Sequence, residues 1–253
     1  METRNFSYLL FIAVFMGIAV NLQAQKKGKK DIVIDTLNYS IQANEGNLEI
    51  SFLKGKSFNH PTFAIWTEDM DGNYIESLYV TQYFATGIYG NADAGDGKWS
   101  DEKGESIRPA ALPYWSHKRN IESREGVFVP TPEKPVTDAV TGATPTNNFV
   151  MRVSPKNKTS KKFKVLFEIN QTWDWNDYWT NNKYPKNKDY LSSAQPSLIY
   201  EAVIDPGNPG TQITFKPIGH GHYSGEDGSL TTDLSTLTTA LEIANQIEIS
   251  LID

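Results

Sequence analysis

Cysteine is missing from the 253-residue sequence. Its absence excludes thiolate nucleophiles, cysteine-ligated zinc, iron–sulfur clusters, disulfides and the acylated cysteine of a lipoprotein. Positive charge is not in excess either: 24 Lys and Arg stand against 30 Asp and Glu, a formal net charge of −6. Such a balance implies no broad basic face, so no nucleic acid is expected as a partner. Neither a glycine-rich phosphate loop nor a G-x-S-x-G elbow occurs, and no nucleophile–base pair is identifiable from spacing. What is present is 39% hydrophobic and 12% aromatic residues. That is enough for a substantial core and excludes a disordered chain.

The uncharged run from Tyr8 to Val20 (YLLFIAVFMGIAV) is preceded by Arg4. It falls short of the roughly 20 residues that a spanning helix needs, and its length suits the apolar region of a secretory signal peptide. Residues 1–24 are therefore read as a signal peptide cleaved after Ala24, and the mature protein is expected to be periplasmic or otherwise extracytoplasmic. Residues 25–31, with Lys26, Lys27, Lys29 and Lys30, read as a basic linker. Residues 32–253 are expected to form a single β-sandwich domain.

Period-two alternation dominates this remainder. Leu48, Ile50 and Phe52 alternate with polar neighbours, as do Phe149, Met151 and Val153, and Phe163, Val165, Phe167 and Ile169; such spacing places one face of a strand on a core. Within Phe63–Val80, Asp71-Gly72 separates two apolar-rich runs and predicts a hairpin. With segments near residues 32–34, 197–204, 212–215 and 247–252, about nine strands are expected, giving an all-β antiparallel sandwich. Helix signals are few. Leu234, Leu237, Leu241 and Ala244 are spaced for a short C-terminal helix capped by Asp233, and Pro113–Ile121 suits a turn or two opened by proline. Two long insertions, between Ala85 and Thr137 and between Trp173 and Gln195, lack alternation but carry many aromatics, which favours functional, packed loops.

The most specific string is Asp138-Ala139-Val140-Thr141-Gly142-Ala143-Thr144. It resembles the D-x-x-[ST]-G-A-[ST] acceptor motif of proteins carrying covalent FMN, such as subunits of bacterial sodium-pumping electron-transport complexes. The resemblance implies that a flavin transferase esterifies FMN to the Thr144 hydroxyl. Attack on phosphorus requires an accessible oxygen approaching in line. Gly142 and Ala143 would leave room beside it, while Thr141 and Asp138 would shape the loop. The plain alternative is a turn, in which a buried, hydrogen-bonded Thr144 is expected.

A wider resemblance runs through P-x-F-A-I-W-x-E-D-x-D-G at 61–72, Leu78-Tyr79-Val80, Leu112-Pro113-Tyr114-Trp115, the string at 138–144, and Gln195-Pro196-Ser197-Leu198-Ile199-Tyr200. This order is similar to a family of predicted periplasmic proteins of unknown function, associated with flavin transferases and PepSY-type membrane redox proteins. Its cores resemble the immunoglobulin-like module of flagellar hook-capping proteins. The chain departs from the family in following the string with Pro145-Thr146-Asn147-Asn148 instead of Arg and a Trp-Asp-Gly hairpin. The resemblance implies an immunoglobulin-like redox carrier that exchanges electrons with a membrane redox protein. Flavin supplies the chemistry and the protein supplies tethering and orientation.

Three other constellations stand out. Gly219-His220-Gly221-His222 brings two imidazoles together, but they read as solvent-facing turn residues. Asp69-Met70-Asp71-Gly72-Asn73 echoes a calcium loop without its register or closing Glu. Trp173-Asp174-Trp175-Asn176-Asp177-Tyr178-Trp179 mixes aromatic faces with hydrogen-bonding groups, which suits a sugar or flavin ring, or else extends the strand begun at Phe163. The second functional expectation is accordingly a noncatalytic binding or scaffold module whose aromatic loops recognise a glycan or protein.

Overall fold

The computed structural model describes residues 33–39, 46–95 and 98–252. Residues 1–31, expected to form a signal peptide and basic linker, lie outside the described residues. In chain order the strands are β1 (Ile34–Tyr39), β2 (Asn47–Lys54), β3 (Thr62–Glu68) and β4 (Tyr74–Thr81), followed by helix α1 (Gln82–Thr86). Four short strands come next: β5 (Ile88–Tyr89), β6 (Asp93–Gly95), β7 (Lys98–Trp99) and β8 (Gly104–Glu105). Helix α2 (Pro113–Arg119), β9 (Val140–Gly142), β10 (Asn148–Val153), β11 (Phe163–Asn170) and α3 (Lys188–Ser193) lead to β12 (Leu198–Ile204), β13 (Ile213–Thr214), β14 (Lys216–His220) and β15 (Ala244–Ile252).

The molecule is all-β, with two sheets arranged as a sandwich. One sheet has the order β1-β10-β2-β15-β13 and the other β14-β12-β11-β3-β4-β9. Pairing is antiparallel except at two edges, where β1 lies parallel to β10 and β9 parallel to β4. Between the sheets, the alternating residues of β2, β10 and β11 form the expected core. Phe52, Phe63, Phe149 and Phe167 stack there with centroids 4.9–5.9 Å apart.

The outer face of the six-stranded sheet is buried as well. Ala64, Trp66, Val80, Leu166 and Ile199 point away from the first core into a second one, closed by Phe84, Ala111, Leu112, Trp115, Val129 and Val136. The insertion between Ala85 and Thr137 is therefore largely a structural cover. It explains why β3 and β12 read as nearly unbroken apolar runs, the pattern of strands buried on both sides.

The hairpin at residues 69–73 joins β3 to β4. Asp69 Oδ1 accepts from the N–H groups of Asp71 and Asn73, and Gly72 adopts φ 86°. That carboxylate is used in the turn, where the Asn73 side-chain amide in particular holds it below the usual range, so the calcium-like spelling is turn chemistry.

Helix α2 begins at Pro113 as expected. The expected helix at Asp233–Ala244 does not form. Asp233 Oδ1 instead accepts from Ser235 N in a tight turn, Thr239–Glu242 makes one 3₁₀ turn, and Ala244 already belongs to β15. Three threonines, at 236, 238 and 239, disfavour a continuous helix there. No described helix is long and apolar enough to cross a membrane.

Candidate functional site

All five residues singled out in the string at 138–144 lie along one sheet edge. Val140, Thr141 and Gly142 form β9 opposite Tyr79, Val80 and Thr81 of β4. Asp138 is held by the Arg119 guanidinium at 2.7 Å, and its carbonyl accepts from Lys156 Nζ at 2.7 Å. Partial burial pulls the Asp138 carboxyl upward, but the Arg119 hydrogen bond and the charges of Arg119 and Lys156 outweigh it, leaving the group below its ordinary value. Asp138 thus fastens the segment to α2.

Gly142 is there because of two tyrosines. A Cβ at this position would stand 2.8 Å from the Tyr39 hydroxyl and 3.0 Å from that of Tyr79. Tyr79 also donates to Ala143 O at 3.2 Å. The rings that meet the string at Gly142 and Ala143 are consequently Tyr39 and Tyr79.

Thr144 is 9% exposed, and its Oγ1 donates to Pro61 O at 3.0 Å. In this conformation the hydroxyl is a satisfied, buried turn group, while its neighbour Ala143 is exposed. An in-line approach to phosphorus requires that hydroxyl to leave Pro61 and rotate outward.

The two histidines of the 219–222 string have separate environments. His220 is buried, contrary to expectation; its backbone pairs with Thr231 and its ring packs edge-on against Trp179 at 6.2 Å. His222 Nδ1 lies 3.1 Å from Ser224 Oγ. Among the described residues no group of three His, Asp or Glu side chains is placed to hold a metal ion.

The Trp173–Trp179 segment is a loop, since β11 ends at Asn170. Its backbone is locked from several sides. Asn176 Oδ1 accepts from the N–H groups of Tyr178 and Trp179, while its Nδ2 donates to Thr236 O. Asp174 accepts from Thr239 Oγ1 through its side chain and from Gln195 through its carbonyl. Trp175 packs edge-on against Tyr190, and Trp179 is buried with its Nε1 donating to Thr236 Oγ1 at 3.2 Å.

Two aromatics of this loop remain outside. Trp173 is 48% exposed and Tyr178 51% exposed. Trp173 has φ 58°, a strained value for a bulky residue. Lys183 Nζ sits 3.1 Å from the Tyr178 ring centre and 4.7 Å from that of Trp179. Beside them runs a groove of about 270 Å³ lined by Tyr178, Trp179, His220, His222, Tyr223 and Asp233. Tyr184, stacked on Tyr223 at 4.2 Å, and Tyr190 support its floor. Sequence reasoning did not select Lys183, Tyr184, Tyr190 or Tyr223, because no local spacing links them.

Comparisons with protein-family models, with curated proteins and with solved structures find no match.

Proposed function

We propose that this chain is an exported, noncatalytic binding module that recognises a carbohydrate through the Trp173–Lys183 loop and its adjoining groove. The observation that carries the reading is the pairing of two exposed rings, Trp173 and Tyr178, with a loop held by hydrogen bonds at the Asn176 side chain and the Asp174 carbonyl. A platform fixed beforehand loses little conformational freedom on binding. Aromatic faces take the apolar side of a sugar ring, and polar groups such as Asp233 and His222 are at hand for hydroxyls. The signal-like run at 8–20 supports export. Calorimetric titration with gluco-, xylo- and chito-oligosaccharides is expected to show saturable binding to one class, weakened about tenfold by Trp173→Ala or Tyr178→Ala, roughly the loss of one good aromatic contact. Absence of binding across the panel, or indifference to both substitutions, overturns the reading.

A second reading is the flavin carrier. It is favoured by the complete acceptor-like string at an open sheet edge, with Ala143 exposed next to Thr144. On this reading residues 143–147 peel away to present Thr144 to the transferase, and an immunoglobulin-like scaffold hands electrons to a membrane redox protein. Co-expression with a flavin transferase is then expected to add the mass of FMN, abolished by Thr144→Ala. Thr144→Ala in the unmodified protein is expected to cost only about 1 kcal/mol, the worth of one neutral hydrogen bond. A bare peptide after co-expression rejects the carrier.

A further inference from the structure

A separate cavity of about 320 Å³ opens between α2, the bend bridged by Arg124 and Val127, the N-cap of α3 and the turn at 222–226. Its walls are set by close packing. Gly225 has φ 72°, and a Cβ on it would lie 2.2 Å from the Pro109 backbone; one on Gly228 would lie 2.4 Å from His117 Cβ. The turn is thus pressed against α2 and its approach.

The polar groups of this cavity have an uneven sense. Asp189 and Glu226 line it, and no Lys or Arg does. The Asp189 carboxylate has no hydrogen bond or ion pair within bonding distance among the described residues; burial raises its pKa above the usual range, against the opposing charge of nearby Lys188, which itself pairs with Asp93. His117 Nδ1 lies 2.9 Å from Pro113 O, and because a carbonyl only accepts, that nitrogen donates; in the neutral tautomer this leaves Nε2 as the acceptor. The His117 ring packs on Phe128 at 4.6 Å. Ser116, also on the wall, is 1% exposed, yet its Oγ has no hydrogen-bond partner. A buried hydroxyl without a partner calls for one, and a single χ1 rotation redirects it.

We propose that this cavity binds a small organic ammonium ion, its charge met by Asp189 and Glu226, its N–H groups by Ser116 and His117, and its apolar body by Phe128. An anion would meet two carboxylates and no Lys or Arg on the wall, Lys188 acting on Asp189 only from outside the lining. A metal ion lacks a third ligand among the described residues. A cation carrying an apolar group matches both the acceptors and the aromatic wall.

The test is calorimetric titration of the full chain with 2-phenylethylammonium, alongside neutral 2-phenylethanol and anionic 3-phenylpropanoate. One-to-one binding of the ammonium alone is expected. Asp189→Asn is expected to weaken it by about tenfold or more, the range of a charge-assisted hydrogen bond. Ser116→Ala is expected to weaken it a few-fold with no change in melting temperature, because that hydroxyl supports nothing in the unliganded protein. Trp173→Ala should leave this binding unchanged, which separates it from the carbohydrate site. Equal binding of the alcohol, no binding of the ammonium, or native affinity in both Asp189→Asn and Ser116→Ala overturns the proposal.

Discussion

Glu168→Ala is expected to lower unfolding free energy by about 3–5 kcal/mol in urea denaturation. The side chain is 0% exposed and accepts from Tyr114 N at 3.2 Å, Trp115 N at 2.7 Å and Ser197 Oγ at 2.5 Å. It therefore ties the start of α2 to β11 and to the segment entering β12. Alanine removes the acceptor and strands three donors where water does not reach. The same carboxyl makes stability depend on pH. Burial raises its pKa to about 7, with the Ser197 hydroxyl and the two backbone N–H groups opposing the shift. The folded state consequently holds a proton that the unfolded state has released between pH about 4.5 and about 7. Across that window Glu168 makes stability fall as pH rises, by about 3 kcal/mol in all, and levels off above it. Glu168→Gln is expected to abolish that slope in a series of urea midpoints; a slope unchanged in Gln assigns it to another group.

The second large effect is expected one residue earlier, on the opposite face of the same strand. Phe167 is fully buried and packs against Phe63 at 5.1 Å, Phe52 at 5.9 Å and edge-on against Phe215 at 6.2 Å. Three of these rings come from one sheet face and its opposite, so Phe167 fills the middle of the sandwich. Phe167→Ala is expected to cost about 3–5 kcal/mol, from lost transfer free energy and from a void that stacked rings refill poorly. The urea midpoint should drop with little change in slope, since the surface exposed on unfolding stays nearly the same. A loss below about 1 kcal/mol would mean that the neighbouring rings collapse into the space.

The inner core was legible in the sequence because alternation is a local property. Phe149, Met151 and Val153, and Phe163 through Ile169, point where their spacing places them. The second core was not, because its cover arrives from elsewhere: Trp115 and Leu112 dock on a face whose identity depends on the path of a fifty-residue insertion. Glu168 sits at the polar position of its alternation and reads as solvent-facing, yet α2 lands on it. The C-terminal leucine spacing suggested a helix, but Leu237, Ala240 and Ile243 are buried in the core without one. The same limit applies to the candidate sites. Five neighbours at 138–144 were readable as a unit, whereas the partner that buries Thr144 is Pro61, 83 positions away. The lysine over Tyr178 and the tyrosines beneath Trp179 likewise converge only through folding.

The placement of β15 has a consequence for assembly order. Residues 244–252 pair with β2 on one side and β13 on the other, inside the five-stranded sheet. During synthesis β2 therefore waits until residues 244–252 have been made with an open hydrogen-bonding rim, the kind of edge that recruits foreign strands. Closure relies on contacts of high sequence separation and is slow on that account. The strand that covers the rim of β2 is thus made long after β2 itself, and the interval before it arrives is when the chain most needs shielding from its own copies.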